Sequence, residues 1–246
     1  MVSAAILIIG NEVLSGKVEE ENAKYMIRGL RKAGVDLKRV TIVRDDIDVI
    51  AAEVEMMSGA HDVVFTSGGV GGTHDDVTIK AVSKGLGVEL VQNQEIFKMF
   101  TKKYGKDLNE AHLLNEAHLR MTMLPEGAQL VGQGELKFPS VQVQNIHIFP
   151  GVPKFLKSKF DFVVSTLDGI PVEMRTILLS VTEDKVAAIL ENVAIAIPEV
   201  EIGSYPRFDI DDFRVKVTLD SRETEQLEKA YNMVISQLDP SWIVQQ

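Results

Sequence analysis

The chain has 246 residues, 45% hydrophobic and 25% charged, which bounds it to one large domain or a main domain with a small companion. A formal net charge of −10 argues against a nucleic-acid backbone or an anionic membrane as the main partner, so neither is expected. The sequence has no cysteine, which excludes disulfides and thiolate metal sites and fits a reducing compartment, with the cytoplasm as the expectation.

The first apolar run, residues 4–9 (AAILII), has no basic region before it and is too short to span a bilayer. Its unbroken apolar character predicts a strand buried on both faces. The run continues into LIIGNEVLSGK, which invites comparison with a P-loop. That template needs four residues between glycines and a hydroxyl after the lysine. Here five residues separate Gly10 from Gly16, and Val18 stands where the hydroxyl belongs. A P-loop is excluded.

Residues 20–30 carry Ala23, Ile27 and Leu30 at helical spacing, and Gly34 is a plausible stop. Residues 37–43 read as a second strand. Residues 47–57 read as a helix with Ile50, Val54 and Met57 on one side, and residues 61–66 as a third strand. A glycine-rich loop follows, then a helix over 75–86 with Val77, Ala81 and Val82 facing inward. Residues 95–123 look mostly helical, and the tandem NEAHLL/NEAHLR at 109–120 is a coincidence inside that helix. Residues 141–149 alternate as one strand, which Pro150 to Pro153 turn into a further helix. Strands alternating with helices predict a three-layer α/β fold built on a doubly wound, mostly parallel sheet. After about residue 166 the order becomes β-α-β-β-α-β, a small α+β unit of split βαβ type. The expected domains are 1–168 and 169–246, with Gly169 and Pro171 punctuating the change.

The stretch Ser67-Gly-Gly-Val-Gly-Gly-Thr73-His-Asp-Asp-Val-Thr78 carries the chemistry. Glycines between a buried strand and a helix let backbone N–H groups approach an anion beside the helix N-terminus. Thr73 with Asp76 also fits a capping box, and Asp75 and Asp76 suit a helix first turn. Two carboxylates beside a phosphate would repel it by roughly several kcal/mol unless a cation intervenes. Carboxylates plus phosphate oxygens are how Mg²⁺ is usually held, so a phosphate ligand here implies a divalent metal. Glu12 and Asp45 end the first and second strands and can reach the same crevice. Asp46 fits an N-cap, His74 a solvent-facing turn, and the DIDD run at 209–212 a solvated hairpin loop. His112 and His118 do not share a helix face, and zinc is not expected.

Gly10-Asn-Glu12, Gly16, Asn22, Asp45 and the Gly68 to Thr78 pattern resemble the MogA/MoaB-like molybdopterin-binding family, within it the CinA-type branch. Phe138-Pro139, Asn145 to Pro153, Gly203-Ser-Tyr-Pro206 and Val215 to Ser221 resemble the N-terminal molybdopterin-binding-like domain of eukaryotic FAD synthase. The resemblance implies a nucleotide or pterin phosphate ligand. It places catalytic carboxylates at Asp45 and Asp76, and metal ligands at Glu12, Asp45, Asp75 and Asp76. Ligand contacts fall on Gly10, Asn11, Ser67, Gly68, Gly69, Gly71, Gly72, Thr73 and Thr78. Asn11 replaces the aspartate of the family's Gly-Asp-Glu and removes a potential ligand. Gly72 replaces the proline of its Gly-Pro-Thr and is expected to loosen the loop.

The leading expectation is metal-dependent hydrolysis of FAD to FMN and AMP, or of a related ADP-containing dinucleotide. Adenylylation of molybdopterin and a non-catalytic nucleotide- or pterin-binding module are the alternatives. The expected cofactor is a divalent ion, Mg²⁺, Mn²⁺ or Co²⁺, with K⁺ as a further candidate. A homo-oligomer is expected, without a FAD synthase catalytic domain or a CinA deamidase domain.

Overall fold

The structure is a computed structural model that describes residues 1–104, 115–208 and 212–245. His112, the first NEAHLL copy at 109–114 and residues 209–211 of the DIDD run lie outside the described residues. Contacts divide the chain into two units, Met1–Gly169 and Ile170–Gln246.

The first unit runs β1 (Ser3–Ile9), α1 (Asn11–Leu14), α2 (Asn22–Lys32), β2 (Asp36–Val43), α3 (Ile47–Ala60), β3 (Val63–Ser67) and α4 (Thr78–Gly85). It continues through β4 (Leu90–Gln92), α5 (Gln94–Tyr104), α6 (Glu116–Met121), β5 (Met123–Pro125), β6 (Gln129–Val131), β7 (Ser140–Val143), β8 (Ile146–Phe149) and α7 (Pro153–Val164). Six strands form one sheet in the order β2-β1-β3-β8-β7-β6. The first four are mutually parallel, while β7 and β6 run antiparallel at the far edge. The unbroken apolar run of β1 is explained by its central place. Ala5, Leu7 and Ile9 pack in a core with Ile50, Val54 and Val82 from α3 and α4. Ala4, Ile6 and Ile8 pack in a second core with Met26, Leu30 and Phe160 from α2 and α7. Each fully buried aliphatic side chain contributes on the order of 1.5–3 kcal/mol, so β1 anchors both layers.

Several elements depart from the sequence reading. The buried side of α2 is Ala23, Met26 and Leu30, while Ile27 is 40% exposed. The helix predicted over 75–86 starts at Thr78, because Asp76 turns back onto Thr73. The single strand predicted over 141–149 is a tight hairpin, with Gln144 at φ 50 reversing the chain. Alternation is blind to that reversal, since both arms bury the same apolar pattern. Strands β4, β5 and β6, each of three residues, were not expected.

Asn145 holds the hairpin against the end of α3. Its amide donates to the carbonyls of Ser58 and His61 at 3.0 and 2.8 Å, and its Oδ1 accepts from the Ser58 hydroxyl at 2.8 Å. On α7, Lys159 is 9% exposed and has no carboxylate partner among the described residues. Its ammonium donates to the carbonyls of Phe138, at 3.0 Å, and Pro139. Burial pulls its pKa from 10.5 to about 8.

The second unit runs β9 (Glu173–Leu179), α8 (Ala187–Ala196), β10 (Glu201–Pro206), β11 (Val215–Ser221), α9 (Thr224–Gln237) and β12 (Ile243–Gln245). Its sheet order, β10-β11-β9-β12, is antiparallel throughout, as a split βαβ sandwich requires. Ile177, Leu179, Val217, Leu219, Leu190 and Leu227 form its own core. Tyr205 lies back over Gly203, where a Cβ would fall 2.7 Å from the phenol oxygen. The ring thereby covers an edge glycine. Among the described residues no helix is long and apolar enough to cross a membrane.

Asn145→Ala is expected to lower stability by about 2 kcal/mol, since two carbonyls and a hydroxyl lose their partner; urea melts measure it. A lysine whose folded pKa lies below its unfolded value costs stability while it must be charged, and the cost fades as pH rises. Relative to Lys159→Met, the wild type should therefore gain stability between pH 8 and 10.5. Paired urea melts across that window would show a flat difference if Lys159 did not titrate there.

Candidate ligand and metal site

The site forms at the carboxyl ends of β1, β2 and β3. After Ser67 the chain enters Gly68 at φ +106 and Gly69 at φ +60, a backbone that side chains rarely adopt. A Cβ on Gly68 would stand 1.9 Å from the Ile9 carbonyl oxygen, so the loop crosses directly over the end of β1. Gly68 N–H donates to the Phe149 carbonyl at 3.2 Å. From the first residue of α4, the Thr78 hydroxyl donates to the Gly68 carbonyl at 2.7 Å, and Thr78 N–H to the Gly69 carbonyl at 3.1 Å. Asn22, also buried, donates to Ser67 Oγ at 3.0 Å and to the Gly151 carbonyl at 2.7 Å.

The carbonyls of Gly68 and Gly69 are thus spent on Thr78. Among the described residues, the N–H groups of Gly69, Val70, Gly71 and Gly72 have no acceptor. A row of unspent donors at a helix N-terminus is an anion cradle. Ser67 and Thr78, expected as ligand contacts, are buried and hold the loop instead.

Asp45 lies beside the first residue of this row, Gly69, and the Asp76 carboxylate lies against Gly71. The Asp45 Oδ2 accepts from Asn11 N–H at 2.7 Å, and its Oδ1 comes 3.5 Å from where a Gly69 Cβ would be. Burial raises its pKa, the Asn11 hydrogen bond opposes this, and the charges of Glu12 and Asp75 add to the rise. Glu12 bends back over Gly10, where a Cβ would meet its Oε1 at 2.7 Å. Gly10 itself pairs with the Val43 carbonyl at 3.1 Å. Hydrogen bonding within the turn holds the Asp75 carboxyl below its ordinary range, and the neighbouring His74 adds to this. His74, 95% exposed, faces solvent.

Asp76 behaves differently. Its Oδ2 accepts from Thr73 N–H at 2.8 Å and from the Thr73 hydroxyl at 2.5 Å, inside its own loop. This is one half of the capping box, made two residues before the helix begins. The structure therefore gathers Glu12, Asp45 and Asp75 into one field and sets Asp76 to closing the turn. Among the described residues no three acidic or histidine side chains converge as a ready-made metal site. Residues chemically able to hold an ion are Asp45, Glu12 and Asp75, all hard oxygen donors.

Gly72 does not loosen the loop. A Cβ there would fall 2.9 Å from the Ala117 Cβ and 3.0 Å from its carbonyl oxygen, so glycine admits α6 against the loop. Sequence reading missed this contact and the support from Asn22. The signal for the latter was the place of Asn22 among the motif residues that carry the family resemblance.

Comparison with known proteins fits this geometry. Residues 5–188 match the family described as a probable molybdopterin binding domain, and residues 171–246 match the FAD synthase middle domain. The chain belongs to the molybdopterin-binding domain family. An Archaeoglobus fulgidus protein is 32% identical over 92% of this molybdopterin-binding-family chain and 93% of its own length. A probable FAD synthase of Caenorhabditis elegans is 32% identical over 92% of this chain and 48% of its own. The chain thus spans about half the length of that relative. A crystal structure of CinA from Thermoplasma acidophilum, described as of unknown function, covers 63% of this chain and 92% of its own, at 29% identity and a TM-score of 0.56.

Gly68→Ala is expected to cost at least about 3 kcal/mol, combining backbone strain with the Ile9 clash. Gly16→Ala is the control: it has φ +70 but nothing within 4 Å, and should cost only about 1 kcal/mol. Equal losses in denaturant melts would show that the crossing over β1 is not tight.

Proposed function

We propose that the protein is a metal-dependent nucleotide pyrophosphohydrolase that cleaves FAD to FMN and AMP, or a related ADP-containing dinucleotide. The observation that carries this is the row of amides from Gly69 to Gly72 without an acceptor among the described residues, with Asp45 beside Gly69. The amides would take oxygens of the diphosphate. A phosphate charge about 5 Å from a carboxylate meets roughly 3 kcal/mol of repulsion at an effective dielectric near 20, so a cation is needed between them. Burial is the first cause of the raised Asp45 pKa, and the charges of Glu12 and Asp75 add to it. A divalent ion would answer this charge, held by Asp45 with Glu12 or Asp75 joining it and its other ligands coming from phosphate and water. When bound, such an ion neutralises phosphoryl charge and acidifies a water. Asp45 is kept in place by Asn11 N–H, and Asp76 keeps the loop closed. The FAD synthase relative supports the flavin dinucleotide as the substrate.

The molybdopterin-binding match over 5–188 favours a second reading, AMP transfer from ATP to a pterin at the same cradle. A module that binds without turnover is the remaining outcome. The same proposal takes the protein as a homo-oligomer. Val40 and Ile42, exposed on the edge strand β2, support it, and light scattering reads it.

The test is a panel of FAD, ADP-ribose, NAD and ATP with Mg²⁺, Mn²⁺ or Co²⁺, with and without K⁺, products separated by chromatography. FAD should yield FMN and AMP, chelation should stop it, and Asp45→Asn should lower kcat at least about 100-fold. Because Asp45 must be ionised and its pKa is raised, the rate should fall at acid pH above the ordinary aspartate range. A rate untouched by chelator or by Asp45→Asn would defeat the proposal.

A further inference from the structure

A cleft of about 120 Å³ opens beside the glycine loop and shares Gly69 and Gly71 with the amide row. Ile79, Leu124 and Val141 line it and belong to or pack against the main core. Met121 and Phe138 also line it, and are 37% and 39% exposed. Arg120 of α6 stands at the same cleft, joined to Glu116 at 3.1 Å. Asp76 and Lys80 line its polar side, and the apolar side, with a thioether and an aromatic ring beside a guanidinium, suits a flat, polarisable ring.

We infer that this cleft takes the planar heteroaromatic end of the ligand whose phosphate lies on the Gly69 to Gly72 amides, and that Gly72 determines this specificity by admitting α6. The inference rests on the phosphate reading of the loop given above. The continuity of cleft and amide row decides the occupant, because a group filling the slot is covalently within reach of an anion on the loop. The role of Gly72 follows from its 2.9 Å approach to Ala117. Any side chain at 72 pushes α6 outward, and with it Arg120 and Met121. The geometry gives the chain a ring subsite whose outer wall depends on one glycine, at a position where the family resemblance leads one to expect proline.

The test uses three probes with Mg²⁺ present, titrated calorimetrically into the full chain: ribose 5-phosphate, AMP and FMN. AMP or FMN should bind at least about tenfold more tightly than ribose 5-phosphate, the gain expected for one stacked ring. Met121→Ser, a partly exposed position whose change leaves the core intact, should cut that advantage to under about threefold without changing ribose 5-phosphate affinity. Gly72→Ala should cut the advantage of AMP or FMN over ribose 5-phosphate to the same extent, whatever it does to the affinity for ribose 5-phosphate itself. Equal affinity for all three probes, or a ring advantage that survives Met121→Ser, overturns the inference. Equal weakening of every probe by Gly72→Ala overturns the role of Gly72 alone. Failure of all three to bind overturns the phosphate reading of the loop, and the ring subsite with it. Comparison of AMP with FMN identifies which ring the slot prefers.

Discussion

One steric fact governs the site: the carbonyl oxygen of Ile9 occupies the space a side chain at residue 68 would need. Only glycine lets β3 pass so close to the end of β1, and the passage forces positive φ at two successive residues. That twist turns the loop's carbonyls inward, where Thr78 takes those of Gly68 and Gly69. The amides that follow, from Gly69 to Gly72, have no acceptor among the described residues. The anion cradle is therefore a consequence of strand packing in the core, not an appendage to it. Asn22 reinforces it from the other layer, since its amide ties Ser67 to Gly151.

Electrostatics then sets what the cradle can hold. The chain carries −10 overall and brings Glu12, Asp45 and Asp75 near four positive-pointing dipoles. Unpaired carboxylates and an anion cradle are individually ordinary, yet side by side they conflict. Asp45 shows the conflict directly, because burial and two like charges raise its pKa against the pull of the Asn11 amide. Asp76 spends Oδ2 on Thr73. A site arranged in this way is balanced only when a cation and an anion occupy it together.

The layers of the fold were legible because buried parallel strands write continuous apolar runs and their helices write a 3.6-residue period. Residues 4–9 and the face formed by Ile50, Val54 and Met57 are cases in point. The order of the small unit was legible for the same reason. What escaped was decided by single residues or by distant contacts. Gln144 reverses a strand without breaking its alternation, and Ile27 yields the buried face of α2 to Met26. In the site, the loop and the acidic residues were readable as types. The division of labour between Asp75 and Asp76 was not, because it turns on which carboxylate the Thr73 amide captures. No local pattern encodes that choice.

The two departures from the family pattern act in opposite directions. Asn11 leaves the backbone contact to Asp45 intact, since the donor there is its main-chain N–H. What changes is charge: an aspartate at that position would add a further like charge around a carboxylate whose pKa is raised first by burial and then by Glu12 and Asp75. Asparagine thus lowers the repulsion that a cation would otherwise have to relieve, at the cost of one oxygen donor. Gly72 changes shape and leaves charge alone. It removes the Cβ that would hold Ala117 away, and so gives the loop a helix as neighbour in place of a ring of its own. The site that results is less negative and more enclosed than the pattern it departs from. Both changes favour a ligand that brings its own apolar surface to the cleft over one held by charge alone.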